Sequence, residues 1–248
     1  MVIHTFGDSH SWNAWDRIEG IKVHHLGARL CYSVGRDGLD ISNFHVNEHD
    51  TVIFCFGEID CRCHVHKHVT EVRTYQDIID QLVHKYLQRI KETVKDLQVK
   101  TCIYNIVPPT RKKDFRCPVL SLVTKGSDDE RRSYVLYFNQ KLAQGCKDQD
   151  FLFFDIYDKY TDADGFINRD LSDDNVHIKD ETYLRHFIEK HQLGPIGGLA
   201  HKMSIVQIMA YWTIFTVTVG FLSLVVYQIR KHVLRPLKNV SVAIANAG

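Results

Sequence analysis

The sequence predicts an α/β fold: three α/β/α layers around a parallel, roughly five-stranded sheet, followed by one C-terminal transmembrane helix. Three observations carry this prediction. Short apolar runs alternate with helical patterns through the first part of the chain, the order that builds a parallel sheet with crossover helices. The run Val52-Ile53-Phe54-Cys55-Phe56 is almost without polar interruption, as a strand buried on both faces requires. From Met203 to Tyr227 there is no charged residue.

The candidate strands are Val2–Phe6, Ile21–His25, Thr51–Phe56, Thr101–Val107 and Phe151–Asp155. The clearest helix runs from Thr74 to Leu97. Its apolar residues Ile78, Ile79, Leu82, Val83, Tyr86, Leu87, Ile90, Val94 and Leu97 recur at helical spacing, with charged and amide side chains on the other face. A second helix starts near Asp128 and passes through Tyr134, Phe138 and Leu142, and a third covers Glu181 to His191. Pro108-Pro109 ends the fourth strand, and residues 111–125 read as an irregular basic loop. These boundaries give an α/β domain over residues 1–192, a Gly/Pro-containing linker over 193–202, the span over 203–228 and a short basic tail over 229–248.

A span of about 25 residues at about 1.5 Å each reaches about 37 Å, enough to cross a hydrocarbon core with some tilt. A buried core helix is the competing reading, and apolar runs this long are rare in soluble domains. Arg230, Lys231, Arg235 and Lys238 after the span place the tail in the cytoplasm by the positive-inside rule. The N-terminus instead lacks the basic and apolar regions of a signal peptide, and the span comes late in the chain. The seven cysteines are odd in number and follow no disulfide framework, which fits a reducing compartment. The expectation is therefore a single-pass membrane protein with its main domain cytosolic. A formal net charge of +1, with no basic stripe interleaved with aromatics, argues against nucleic acid. Nothing in the sequence sets the oligomeric state.

Sites in open α/β sheets form where loops leave the carboxyl ends of strands. Three segments sit there: Gly7-Asp8-Ser9, Gly57-Glu58-Ile59-Asp60 and Asp174-Asn175-Val176-His177. A serine becomes a nucleophile when a base takes its proton and a third group orients the base. Ser9 as nucleophile, His177 as base and Asp174 as its orienting carboxylate meet that need. The bland readings are a turn serine at Ser9, a loop aspartate at Asp174 and a surface histidine at His177. Cys61-Arg62-Cys63-His64-Val65-His66-Lys67-His68 is dense in soft ligands, but no second pair follows at a zinc spacing. It reads as a loop, with no metal assigned.

Gly-Asp-Ser after the first strand and Asp-x-x-His near the domain's end make the sequence resemble the SGNH hydrolases, also called GDSL-like esterases and lipases, over roughly residues 1–192. The resemblance implies a three-layer fold, an acyl-enzyme on Ser9, ester substrates and no cofactor. It assigns triad roles to Ser9, Asp174 and His177. It also implies an oxyanion hole from the backbone N–H of Ser9, from Gly27, and from an asparagine in Gly-x-Asn-Asp. Here that block reads Gly57-Glu58-Ile59-Asp60, with isoleucine in the asparagine's place. Arg62 or Asn105 is the expected substitute donor. Gly57, Glu58, Asp60 and Arg62 are the expected substrate-binding or oxyanion residues, although Glu58, Asp60 and Arg62 serve equally as a structural ion-pair cluster. The polar surroundings favour an acylated carbohydrate, and the span would suit a lipid-linked substrate. The alternative is an inactive domain of the same fold that binds a glycan or a protein at the membrane.

Overall fold

A computed structural model of the chain describes residues 1–116 and 122–195. Its centre is a five-stranded, wholly parallel sheet: β1 (Ile3–Gly7), β2 (Ile21–His25), β3 (Thr51–Cys55), β4 (Lys100–Tyr104) and β5 (Leu152–Phe154). The spatial order is β2-β1-β3-β4-β5. The order reverses between β1 and β3, and the crevice at their carboxyl ends is where such sheets bind ligands.

Alternate residues of each strand feed two apolar layers. Phe6, Val52, Phe54 and Ile103 face one layer, with helices α1 (Cys31–Asp37), α3 (Tyr75–Val94) and α4 (Asp128–Gln149). Ile3, Ile53, Cys55, Cys102 and Tyr104 face the other, where Trp15 and α5 (Thr182–Lys190) pack. The predicted three-layer arrangement with burial on both sheet faces is thus the observed one. Both long helices begin at capping boxes, Thr74 with Asp77 and Ser127 with Glu130.

Two short helices depart from expectation. The α1 helix has no capping side chain of its own. Asp60, 29 residues further along, accepts the N–H groups of Cys31 at 2.8 Å and Tyr32 at 3.1 Å. The expected loop at 61–68 is helical: a π-helical turn, Asp60–His64, runs into α2 (Val65–His68). Burying Cys61, Cys63 and Val65 fixes this turn, a pull that the intervening histidines mask in the sequence. The expected span at 203–228, the end of the linker and the basic tail lie outside the described residues. Among the described residues, no helix is long and apolar enough to cross a membrane.

Gly7 lies where β1 meets β3 closely. A Cβ there would stand 2.1 Å from the Cys55 carbonyl oxygen, a backbone atom that cannot turn aside. Gly7→Ala is expected to lower stability by about 1–3 kcal/mol or more, read as a lower urea midpoint.

A polar chain links β2, β1 and the start of β3. Asp50 accepts Val2 N–H at 2.5 Å and lies 3.3 Å from His4 Nε2, while His4 Nδ1 lies 2.9 Å from His24 Nε2. The His24 ring stacks on Phe6 with centroids 4.5 Å apart. Burial first, then the nearby His4 and Lys22, lowers the His24 pKa from 6.5 to about 4. Between those values the unfolded chain binds the extra proton and the folded chain does not, so stability falls as pH drops through that window. Melting temperatures of wild type and His24→Phe are expected to converge toward pH 4, because only the wild type carries this loss. Parallel pH profiles would contradict the assignment.

Candidate active site

The Ser9 turn is built by its neighbours. Asp8 caps a short 3-10 turn, Ser9–Ser11, by accepting His10 N–H at 2.9 Å. Ser11 Oγ donates to Asp8 O at 2.8 Å, and Thr5 Oγ1 donates to Ser11 O at 2.8 Å. This places Ser9, half-buried, at the mouth of the β1/β3 crevice.

His177 reaches it from the segment before α5. Its Nε2 is 2.8 Å from Ser9 Oγ, and its Nδ1 is 2.6 Å from an oxygen of Asp173. A serine, an imidazole and a carboxylate therefore form one hydrogen-bonded chain. The acid in contact is Asp173, not the expected Asp174. Residues 173–177 close a tight turn in which Asp173 N–H donates to His177 O at 3.0 Å, flanked by the Ser172–Ile178 bridge. Residues four apart thus face each other across the turn. Asp174 occupies its left-handed position, at φ 64°, with its side chain 86% exposed and turned toward Arg169.

Burial works to raise the Asp173 pKa, but the His177 ring and the N–H groups of His177 and Asn175 outweigh it. The carboxyl is held below its usual range. The turn is braced from the β4–α4 connection: Asn175 Oδ1 accepts Arg116 N–H at 3.1 Å and Asn175 Nδ2 donates to Arg116 O at 2.8 Å.

The remaining expected site residues divide by role. Gly27 is exposed at φ 72° in the loop after β2, which Leu26 N–H ties to Gly7 O at 2.8 Å. Gly57 is at φ 117°, and a Cβ there would meet Ile106 Cδ1 at 2.5 Å, so its glycine serves packing. Glu58 and Arg62 form a buried bidentate pair at 2.7 and 2.9 Å. Arg62 also donates to Leu122 O at 2.5 Å and stacks over Phe115. Burial pushes the Glu58 pKa up, but Arg62, His10 and His177 together hold it below its usual range. Asp60 is fully buried and holds the start of α1, so it positions the Gly27 segment from behind and cannot touch substrate. Burial pushes its pKa to about 7 against those N–H donors.

Neither expected substitute for the missing asparagine is poised as a donor. Asn105 Nδ2 donates to Ile106 O at 2.8 Å, while its Oδ1 accepts Ile156 N–H at 3.0 Å. Arg62 is held in its ion pair. Ile59 is buried and apolar. Among the described residues, no group of histidine, cysteine and carboxylate side chains is arranged to hold a metal.

His10, directly after Ser9, reads in the sequence as a supporting or surface histidine more than as a second base. It is buried, with Nδ1 2.9 Å from Asp8 Oδ1, Nε2 3.2 Å from Val176 O and its ring 4.8 Å from that of His177. Only its place directly after Ser9 marked it in the sequence.

No family model matches the chain, and no curated protein does either. Solved structures do. A protein from Streptococcus pneumonia with the provisional name of platelet activating factor aligns at a TM-score of 0.54 and 14% identity, over 77% of this chain and 83% of its own. A provisionally assigned acylhydrolase from Bacteroides fragilis aligns at 0.51 and 15% identity, over 76% and 85%. A GDSL-like lipase from Bacteroides thetaiotaomicron aligns at 0.49 and 14% identity, over 77% and 85%. Likeness at such identity speaks for the fold alone, which this chain shares with the first two of these structures.

Proposed function

We propose that the chain is a serine hydrolase of ester bonds that works through an acyl-enzyme on Ser9. The observation that carries this is the hydrogen-bonded chain from Asp173 through His177 to Ser9 Oγ. His177 Nε2 takes the hydroxyl proton as Ser9 Oγ attacks the ester carbonyl carbon, and Asp173 steadies the imidazolium that forms. The tetrahedral intermediate collapses with the alcohol leaving, protonated by His177. Water, activated by the same ring, then frees the acid and restores Ser9. The N–H groups of Ser9 and Gly27 are the donors for the oxyanion; neither makes a hydrogen bond among the described residues.

Polar features favour an acylated carbohydrate as substrate. An open hollow of about 260 Å³ borders Asp173 and is lined by Asn13, Asp16, Arg17 and Lys179. Trp12 is half-exposed three residues after Ser9, stacked on His25 at the end of β2, and offers a flat face to a sugar ring. The uncharged run 203–228 supports a membrane tether, which would also bring lipid-linked esters within reach.

One observation favours a second reading. The buried apolar Ile59 supplies no third oxyanion donor, and losing one typically costs about 10²–10³ in rate. A slow enzyme, or a domain of this fold that binds a glycan or protein without turning it over, would tolerate that loss.

Fluorophosphonate labelling and turnover of p-nitrophenyl acetate by the full chain test the proposal. Wild type is expected to label, and Ser9→Ala and His177→Ala to do neither while staying folded. No label on folded wild type would leave the binding-domain reading.

The acid is tested separately. Asp173→Asn is expected to lower kcat by a factor on the order of 10⁴, and Asp174→Asn to stay near wild type. The reverse result would restore Asp174 as the orienting group.

A further inference from the structure

We propose that His10 is a positioning residue for this hydrolysis: as a doubly protonated imidazolium, it ties the Ser9 turn to the loop that carries His177. The proposal rests on the Ser9–His177–Asp173 reading and adds a residue to which that reading gives no role.

The geometry fixes the protons. A neutral imidazole has one nitrogen that donates and one that accepts. His10 Nε2 faces Val176 O at 3.2 Å, and a carbonyl oxygen can only accept. His10 Nδ1 faces Asp8 Oδ1 at 2.9 Å, an oxygen that already accepts the His10 backbone N–H at 2.9 Å. Satisfying both partners takes two N–H groups, and therefore a cationic ring.

The surroundings agree. Asp8 faces the ring from the Ser9 turn, and Glu58 and Arg62 face it from the helical turn after β3. His177 lies beside it, and Cys55 of β3 and Tyr104 of β4 line the same small cavity. Burial pushes the Cys55 thiol and the Tyr104 phenol far up, so both are neutral. Burial also works to lower the His10 pKa, but Asp8 and Glu58 outweigh burial and Arg62 together, and it stands raised.

Val176 directly precedes His177. Holding its carbonyl sets the height at which the His177 ring meets Ser9. Asp8, at the other end of the link, caps the turn that presents Ser9. His10 therefore joins the two loops from beneath, without touching the reacting atoms.

A pH dependence follows. As base, His177 must be unprotonated, which gives activity an acid limb. His10 must be doubly protonated, so activity falls again as pH rises through its raised pKa and one link is lost. The experiment measures kcat and KM for p-nitrophenyl acetate across pH on the full-length wild type and His10→Gln, with fluorophosphonate labelling in parallel. His10→Gln is expected to lower kcat at least tenfold, leave KM within about twofold and lack the alkaline limb. Ring-¹⁵N spectra of wild type, with His10 assigned by its loss in the variant or by selective labelling, are expected to show both nitrogens protonated at pH 7. They decide the matter if the variant does not fold. Wild type that labels at Ser9 but has a singly protonated His10 at pH 7, or a folded variant that keeps the alkaline limb, overturns the proposal alone. Folded wild type that takes no label overturns the triad and the proposal with it.

Discussion

The close approach of β1 to β3 at Gly7 and Cys55 sets the geometry of everything at the carboxyl edge of the sheet. Asp8 N–H reaches back to Cys55 O at 3.4 Å, so the chain leaves β1 already held against β3. Leu26 N–H binds Gly7 O on the other side. One peptide therefore fixes three loops: the Ser9 turn, the Gly27 segment and the helical turn that starts at Gly57. A side chain at position 7 would wedge the strands apart where the site needs them together. The order β2-β1-β3 then does the rest, because the crossovers from β1 and β3 leave in opposite directions and open the crevice that Ser9 occupies.

Around this crevice the protein buries charge that a stable core would avoid. A buried charge is tolerated when its partners are complete, which holds here for Glu58, Arg62 and Asp60, while Asp8 is partnered through Oδ1 and leaves Oδ2 without a hydrogen bond among the described residues. Glu58 and Arg62 satisfy one another bidentately, Asp60 is spent on two N–H groups of α1, and Asp8 binds both the backbone and the ring of His10. These groups are scaffolding. They hold the turns that carry Ser9, Gly27 and His177 in place, and leave the exposed polar surface to residues such as Asn13 and Lys179.

The sheet was legible in the sequence because its strands are buried on both faces, and continuous apolar runs such as Val52–Phe56 have few other uses. Helices α3 and α4 were legible through the periodicity of their apolar residues. Helix α1 was not, because its cap comes from Asp60, far away in the chain, and local pattern cannot see a distant carboxylate. The helical turn after β3 was hidden by the histidines interleaved with its buried cysteines. Ser9 and His177 stood out through their motifs, and the structure brings them together. The choice of acid was not legible. Asp173 and Asp174 are adjacent and chemically identical, and spacing alone favoured Asp174. Only the closure of the turn, with its left-handed residue at 174, shows which of the two faces the ring.

The same limit applies to Ile59. Read as a motif, isoleucine in the asparagine position is simply a missing donor. In the structure it is a buried apolar residue beneath the turn that carries Glu58 and Arg62, at the point where the chain enters its helical turn. An unpaired amide buried there would carry its own desolvation cost. The exchange removes a donor from the site and leaves a dry support under the Glu58–Arg62 pair, whose carboxylate faces both His10 and His177. What the motif counts as a missing donor is, in the structure, part of the packing that fixes this ion pair at the edge of the crevice.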